Sequence, residues 1–237
     1  MKYITLFEQQ TAFDNAKSTL DKPNMSLVTE TGNVYSLAVG GVTYEYVDLG
    51  LSVKWAKCNV GAEKETDAGL YFAWGETTGY TASQVGTDKQ FSWSDYKYGN
   101  SSSNLTKYNQ SDGKTVLESA DDAASQIMGG NWRMPTKAEF QELLNNTNKE
   151  WTRVNGVNGY KFTSKKEGFQ NNSIFIPAAG NCYGGSVHDV GSYGYVWSSS
   201  LFALNPGSAW SLYFKSGNCS MYDGNRYYGR SVRGVRK

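Results

Sequence analysis

The chain is poor in the residues that most metal sites and catalytic centres require. It has one histidine, His188, and three cysteines, Cys58, Cys182 and Cys219, which lie far apart and form no CxxC pair. One histidine cannot form a histidine-rich metal site. A catalytic triad would have to use His188, whose position beside Asp189 in a Gly/Ser-rich turn instead suits an exposed, variable residue. Scattered cysteines in an odd number argue against a zinc knuckle or a disulfide framework. We therefore expect no catalytic residues, no metal and no cofactor. Three reduced thiols are preferred, with a Cys182–Cys219 bridge as the alternative.

Long hydrophobic runs and an excess of one charge are also missing. No segment approaches the roughly eighteen apolar residues of a membrane-spanning helix, and the N-terminus lacks the apolar core of a signal peptide. The 23 basic residues balance 22 acidic ones, so no overall field favours nucleic acid or an anionic membrane. We predict cytoplasmic synthesis without a signal peptide, and neither a membrane nor a nucleic acid as partner. The basic C-terminal end, with Arg233 and Arg236 alternating with valines, indicates a sheet strand.

Turn-forming and aromatic residues are abundant. Only 4 prolines occur, but the chain has 26 glycines and is 14% aromatic, a mixture typical of turn-rich β structure. Two helices are predicted within it. One has Ser119 at its N-cap and Gly129 as its stop, and the other starts with a capping box of Thr136 and Glu139. Two helices among several short antiparallel strands predict an α+β fold.

The N-terminal forty residues are predicted to form a separate element. Residues 7–20 suit a short helix, and residues 25–41 suit a hairpin around Thr31-Gly32-Asn33. Gly40-Gly41 is a plausible hinge, which leaves residues 1–40 as an appendage for docking or homo-oligomerisation and 41–237 as the main domain. Residues 79–114 are polar and predict a long surface loop carrying Trp93, Tyr96 and Tyr98.

The C-terminal part has the composition of a binding surface. Between Asn181 and Arg230 lie seven Tyr, nine Ser, eight Gly and four Asn. Antibody paratopes favour this set because tyrosine offers large contact area with few rotatable bonds, while the small residues adapt their hydrogen bonds. Buried phenols would each need a partner, so we predict a surface at about 182–230, although some of these tyrosines would be ordinary half-buried strand residues. The predicted ligand-binding residues are Tyr183, His188, Asp189, Tyr193, Tyr195, Phe202, Ala203, Leu204, Ser208, Ser211, Tyr213, Ser220, Tyr222, Asp223, Gly224, Asn225, Tyr227, Tyr228 and Arg230.

Several sequence blocks carry a family resemblance from about Val42 to Arg236. They are "YEYVDLGLSVKWAKCNVG", "GLYFAWGET", "GGNWRMPTKAEFQELL", "FIPAAG", "YVWSSS", "AWSLYF" and "YGRSVRGVR". In order and spacing they resemble the Fibrobacter succinogenes major paralogous domain, with one departure at Gly234, where that family usually has proline. The resemblance implies a C-type-lectin-like fold in the variant shared with formylglycine-generating enzymes. It does not imply calcium-dependent sugar binding, because the triplets that hold calcium in such lectins are absent from the C-terminal half.

A narrower resemblance concerns the variable proteins of diversity-generating retroelements. Adenine-directed mutagenesis of their template codons cannot produce Glu, Gln, Lys, Met or Trp. From Asn171 to Lys237 the chain has no Glu and no Gln, and Trp, Lys and Met occur at isolated positions such as Trp197, Lys215 and Met221.

This resemblance implies a non-catalytic ligand-binding protein with a hypervariable surface. The expected setting is the virion of a phage or prophage, where the protein would bind a protein or glycan ligand on a cell surface. The first alternative is a fixed adhesin on the surface of a gut bacterium. The second is an enzyme of the formylglycine-generating type, which would need a reactive cysteine pair.

Overall fold

The computed structural model describes residues 25–31, 34–39 and 42–237. Antiparallel strands dominate these residues, and they form five sheets. The strands are β1 (Met25–Thr31), β2 (Val34–Val39), β3 (Val42–Val47), β4 (Lys54–Asn59), β5 (Gly99–Ser101), β6 (Asn104–Leu105), β7 (Thr147–Val154), β8 (Val157–Ser164), β9 (Ser173–Pro177), β10 (Asn181–Tyr183), β11 (Ser186–His188), β12 (Tyr193–Leu201), β13 (Ser208–Lys215), β14 (Asn218–Asn225) and β15 (Arg233–Arg236). The helices are α1 (Ala123–Met128) and α2 (Lys137–Asn146), with short 3-10 turns at Ala82–Gln84, Trp93–Asp95 and Ser119–Asp121.

The predicted α+β fold of the C-type-lectin type, built on two helices, is wrong. The described residues are mostly β, with 43% in strands and 13% helical, and only one helix among them reaches seven residues. The first predicted helix is reduced to the six residues of α1. Ser119, the predicted N-cap, lies in the preceding 3-10 turn, and Asp122 is the N-cap, which accepts a hydrogen bond from the Ser125 amide (2.8 Å). Asp122 also accepts from the Met134 amide (2.8 Å), so a contact distant in sequence sets where this helix begins.

The two paired strands of the predicted N-terminal hairpin are confirmed. β1 and β2 pair in antiparallel fashion, with Thr31 opposite Val34. β2 in turn pairs with β3, so both strands extend a five-stranded sheet of order β1-β2-β3-β4-β15. The predicted helix at 7–20 and the Gly40-Gly41 hinge lie outside the described residues, and the domain boundary near residue 40 stays a prediction.

The second predicted helix, α2, is confirmed with its capping box. The Thr136 hydroxyl accepts from the Glu139 amide (3.2 Å), and the Glu139 carboxylate accepts from the Thr136 amide (2.7 Å). Two orphan donors of the first turn are thereby satisfied. The predicted apolar stripe of Phe140, Leu143 and Leu144 is buried. This stripe packs in one core cluster with residues of the β7-β8-β9 and β12-β13-β14 sheets. The face of the β12-β13-β14 sheet that contacts this cluster is therefore its core face.

The segment predicted as a polar surface loop, residues 79–114, is exposed at many positions, but most of its aromatic side chains are packed into the protein. Tyr96 and Tyr98 are buried, as are Phe91 and Tyr108. The prediction failed because the partners of these side chains come from elsewhere in the chain. Asp121, itself buried, accepts hydrogen bonds from the hydroxyls of Tyr98 and Tyr108.

Candidate functional site

The β12-β13-β14 sheet has one core face and one tyrosine face. Val196, Leu212 and Phe214 are buried in the core cluster that contains α2. Successive residues of a strand point to opposite faces, so their neighbours along the strands point away from that core. Tyr195 lies directly opposite Tyr213 in the ladder, and the hydrogen-bonded register places Tyr222 opposite Ser211. The alternation of these strands therefore places core residues on one face and the tyrosines on the other.

The tyrosine rings of this face contact one another. The Tyr195 and Tyr213 ring centroids are 5.3 Å apart, and those of Tyr213 and Tyr222 are 5.7 Å apart. Tyr193 is 6.0 Å from Tyr213, and the Lys215 ammonium lies 5.8 Å from the Tyr193 ring centroid. These separations fall in the range of favourable aromatic pairs, so the rings support one another as a continuous layer.

A second group of aromatic rings is linked to this layer by the Arg230 guanidinium, which lies 4.8 Å from the Tyr195 ring centroid and 5.5 Å from that of Tyr228. Tyr183 stacks on His188 within the β10–β11 hairpin, with ring centroids 3.9 Å apart. Its ring is also 5.5 Å from Tyr228, which is 4.8 Å from Tyr227. We call the whole layer the tyrosine surface; its members are Tyr183, His188, Tyr193, Tyr195, Tyr213, Tyr222, Tyr227 and Tyr228.

Members of the tyrosine surface differ in exposure. Tyr222 and Tyr183 are exposed, at 58% and 38%, whereas the other six are half-buried. Burial raises the pKa of Tyr195 to about 12, so its hydroxyl is a neutral group near pH 7. The layer therefore presents apolar ring area together with uncharged hydroxyls, and part of it is covered by its own neighbours.

Three predicted ligand-binding residues are buried. Ser208, Ser211 and Arg230 have exposures of 4%, 0% and 2%. The Arg230 guanidinium lies 4.2 Å from the Trp197 ring centroid and 4.8 Å from that of Tyr195. Its Nη1 donates to Ser211 Oγ (2.6 Å). Arg230 and Ser211 thus lie next to the Tyr195 ring, whereas Ser208 points by strand alternation to the face of Leu212. Whether these residues contact a ligand stays a prediction.

The remaining predicted residues are spread around the tyrosine surface. Phe202 packs edge-on against Trp210 at 5.0 Å, and Leu204 in the following turn is 89% exposed. By strand alternation, Trp210 and Asp223 point to the sheet face opposite Tyr222. The structure therefore does not bring Phe202, Leu204 and Asp223 onto the tyrosine surface. Among the other predicted residues, Ser220 lies on the same face as Tyr222, and Gly224 is half-buried beside Arg230. Asp189 and Ala203 are exposed. The Asn225 side chain donates to the hydroxyls of Tyr227 and Tyr228.

Two residues that support the surface were missed or left unassigned. Trp93, predicted only as part of a loop, contacts Tyr227 at 5.0 Å. Arg226 is fully buried and donates to the Tyr96 hydroxyl (2.8 Å) and to the carbonyls of Lys107 and Pro206. No sequence pattern relates these segments, since their contacts form only through the tertiary fold.

The described residues hold no cluster of three or more His, Cys, Asp or Glu side chains that could bind a metal ion. All three cysteines are free. Burial raises the pKa values of Cys182 and Cys219 to about 12, and the two residues belong to different sheets. In the same part of the chain, no helix has the length and apolarity needed to cross a membrane.

A groove of about 510 Å³ lies away from the predicted site. It is bordered by β3, β4 and the end of α1, with Tyr44, Cys58, Glu63 and Ile127 among its lining residues. None of the predicted ligand-binding residues lines it. The tyrosine surface is an open layer without a comparable cavity, which suits a broad macromolecular contact better than an enclosed small molecule.

Comparison with known proteins identifies a family. The model of the Lcl C-terminal domain matches residues 46–236, most of the chain, and the chain therefore belongs to this family. Membership is compatible with a ligand-binding or variable domain. No curated protein and no solved structure matches.

Proposed function

We propose that this member of the Lcl C-terminal domain family is a non-catalytic binding protein whose tyrosine surface contacts a macromolecular ligand. The observation that carries the proposal is a set of eight aromatic side chains: four contact one another on one face of the β12-β13-β14 sheet, and four lie on the β10–β11 hairpin and in the turn after β14. Tyrosine is enriched in the energetically dominant parts of interfaces. Rigid strands beneath the layer limit the entropy lost on binding.

We further propose that this surface is diversified, and that the protein is the variable protein of a diversity-generating retroelement. Alternation supports this idea physically. Side chains such as Tyr213 and Tyr222 contact mainly one another, whereas Leu212 and Phe214 belong to the core. Substitutions restricted to the outer set would change the ligand without altering the packing. The proposed setting is a phage or prophage particle that binds a protein or glycan on a cell, and a fixed adhesin is the alternative.

Binding can be tested on whole cells. We would measure adhesion of the purified protein to a panel of fixed gut bacteria and compare it with Tyr195→Ser and Tyr222→Ser variants. The control is Val116→Ser, at a residue that is 45% exposed and is not part of the tyrosine surface. Loss of adhesion in the tyrosine variants alone supports the proposal. Equal adhesion by all variants would show that ligands bind elsewhere.

Diversification can be tested separately at the encoding locus. The expected result is a reverse transcriptase gene and a template repeat whose differences from this region occur only at adenines. Those differences should fall on Tyr183, Tyr213, Tyr222 and similar outer positions. Differences distributed equally over Leu212 and Phe214 would contradict diversification, and a locus without a template repeat would favour the fixed adhesin.

A further inference from the structure

β14 forms an edge of its three-stranded sheet, because it pairs with β13 and with no other strand of the described residues. The far side of the sheet fixes which of its backbone groups are bonded. On β12, the Trp197 amide donates to the Ser231 carbonyl (3.0 Å), away from β13. The residue opposite Trp197, Ser211, therefore directs its amide and carbonyl towards β14, where they bond with Tyr222. The residues between the bonded positions of β14 direct their backbone groups outward; they are Cys219, Met221 and Asp223.

These outward groups of β14 have no partner in the described part of the chain. No hydrogen bond there involves the backbone amide or carbonyl of Cys219, Met221 or Asp223. Tyr222, which lies among them, is 58% exposed. Three donors and three acceptors thus stand in a row that repeats every second residue, or about 6.8 Å. Such a row is a template on which a further strand pairs.

Most other sheet edges of the described residues are bonded or short. On β12 the outer groups are bonded, as the Trp197 amide shows. On β15, Val235 and Arg133 exchange two backbone hydrogen bonds (2.8 and 3.0 Å). On β9, the Phe175 carbonyl accepts from the Arg233 guanidinium (3.0 Å). β5, β6, β10 and β11 are only two or three residues long. These edges offer no comparable row of free groups.

The two remaining edges carry features that hinder pairing. β1 has a register shift between Leu27 and Thr29, and such a bulge disturbs a regular edge. β7 carries the exposed charges of Lys149, Glu150 and Arg153. β14 has neither feature: its eight residues pair with β13 without a register shift, and they include one acidic residue but no Lys, Arg or Pro. Because proteins usually protect their sheet edges against other chains, the open edge of β14 indicates a place where another chain binds.

We propose that the ligand of the tyrosine surface is a protein that binds by strand addition, with an extended segment pairing to β14 as the fourth strand of the sheet. This inference rests on the proposed binding function of that surface. The added strand exchanges backbone hydrogen bonds with Cys219, Met221 and Asp223. An extended peptide backbone repeats its donors and acceptors at the same spacing as β14. A glycan has no such repeat, so the chemistry of the edge selects a protein.

Strand addition also suits the tyrosines beside this edge. Every second side chain of the added strand lies on the face of Tyr222 and Ser220, next to the exposed ring. In this mode of recognition the backbone bonds supply affinity and the alternate side chains supply specificity. Substitutions at Tyr222 would therefore change which segment is accepted, while the backbone groups that pair with it stay the same.

The first test measures whether the edge is open in the free, full-length protein. Amide hydrogen exchange is followed by NMR, and the amides of Cys219, Met221 and Asp223 should exchange at least about tenfold faster than those of Tyr222 and Gly224, which bond to β13. Equally slow exchange at all five would show that the edge is already covered and would overturn the proposal. Exchange at the three outward amides that slows with protein concentration, together with a dimer in light scattering, would assign the edge to a second copy instead.

The second test uses a peptide probe, a soluble octapeptide of alternating threonine and valine between two terminal lysines. The expected result is a saturable downfield shift of the three outward amide resonances, with smaller changes at Tyr222 and Gly224. Asp223→Pro removes one outward amide without breaking a bond to β13, and it should weaken peptide binding about tenfold or more. Asp223→Ala, which keeps the amide, should weaken binding much less. Absence of the shifts, or equal weakening by both variants, would refute strand addition. The shifts in the unaltered protein decide the question if Asp223→Pro does not fold.

The third test separates this inference from the proposed function. On the same panel of fixed bacteria, Asp223→Pro should lose adhesion, and treatment of the cells with protease should abolish it while periodate should not. Adhesion that depends on Tyr222 but persists in Asp223→Pro would refute strand addition and leave the binding surface intact. Adhesion that periodate alone abolishes would assign the ligand to glycans and would likewise overturn the inference.

Discussion

Arg226 joins parts of the chain that are distant in sequence. Its guanidinium lies 4.9 Å from the Trp74 ring centroid and donates to the carbonyls of Lys107, Tyr108 and Pro206. These carbonyls would lose their partner if the guanidinium were removed, and a buried acceptor without a donor is destabilising. We infer that Arg226 stabilises the packed 79–114 segment and, through it, Trp93 under the tyrosine surface.

Replacing Arg226 by methionine should therefore be strongly destabilising. We expect Arg226→Met to lower the free energy of unfolding by about 3 kcal/mol or more, measured by urea denaturation. Arg153→Met is the matched control, because Arg153 is exposed and donates only to a nearby turn carbonyl. A similar small loss in both variants would mean that the four bonds of Arg226 contribute little.

Asp121 should make stability depend on acid pH. Burial alone would raise the pKa of its carboxyl, but hydrogen bonds from Lys107, Tyr108 and Tyr98 outweigh it and lower the pKa to about 2. An aspartate in an unfolded chain has a pKa of about 3.9. Since the folded state favours the charged form, the stabilisation is fully present above about pH 4 and is lost as the pH falls towards about 2.

The measurement is a series of urea denaturation curves across this pH range. The protein should lose about 2 kcal/mol through this group between about pH 5 and pH 2. Asp121→Asn should be less stable at pH 5 and should lose correspondingly less on acidification. Glu167→Gln removes an exposed carboxylate and serves as the control. If the free energy of unfolding fell with pH in the same way in Asp121→Asn and in the unaltered protein, Asp121 would not be the source of the acid sensitivity.

At the scale of single elements, local and distant contacts explain what the sequence could predict. The capping box and apolar stripe of α2 are complete within one segment, and that helix was predicted correctly. The start of α1 depends on Asp122 bonding to Met134, and the burial of Tyr108 depends on Asp121. Neither contact leaves a periodic pattern, so the first helix was predicted too long and the burial of aromatic residues within 79–114 was missed.

The β12-β13-β14 sheet provides an element-scale prediction. Leu212 is fully buried in the core cluster, and its neighbour Tyr213 is half-buried among tyrosines on the other face. Leu212→Ala should cost about 2–5 kcal/mol of unfolding free energy, because it leaves a cavity. Tyr213→Ala should cost about 1 kcal/mol, since it removes ring contacts at the surface. Thermal and urea unfolding of both variants test the difference. A Tyr213→Ala variant as unstable as Leu212→Ala would mean that the tyrosine face is part of the core.

At the scale of the whole molecule, the tyrosine surface collects residues from several separate elements. The tyrosines of this surface could be predicted from the local composition of the C-terminal part of the chain, without knowledge of the fold. The contribution of Trp93, the burial of Arg230 and the separation of Phe202 and Leu204 depend on how the sheets are arranged. Those features could not be predicted, since no local rule relates residue 93 to residue 227.

This arrangement predicts that binding and folding are separable. A variant with Tyr183→Ser, Tyr193→Ser, Tyr213→Ser and Tyr222→Ser keeps Tyr195 over Arg230 and leaves every core residue in place. Because these four rings contact mainly other surface residues, we expect a total loss of about 2–4 kcal/mol and an unchanged fold by NMR and circular dichroism. Adhesion to cells should be abolished. The matched variant replaces the buried Tyr96 and Tyr108 by serine. It should fail to fold, because two aromatic side chains and their bonds to Arg226 and Asp121 are lost together. If the quadruple variant unfolds as readily as this one, the surface cannot vary independently of the scaffold, and diversification of these positions would be physically excluded.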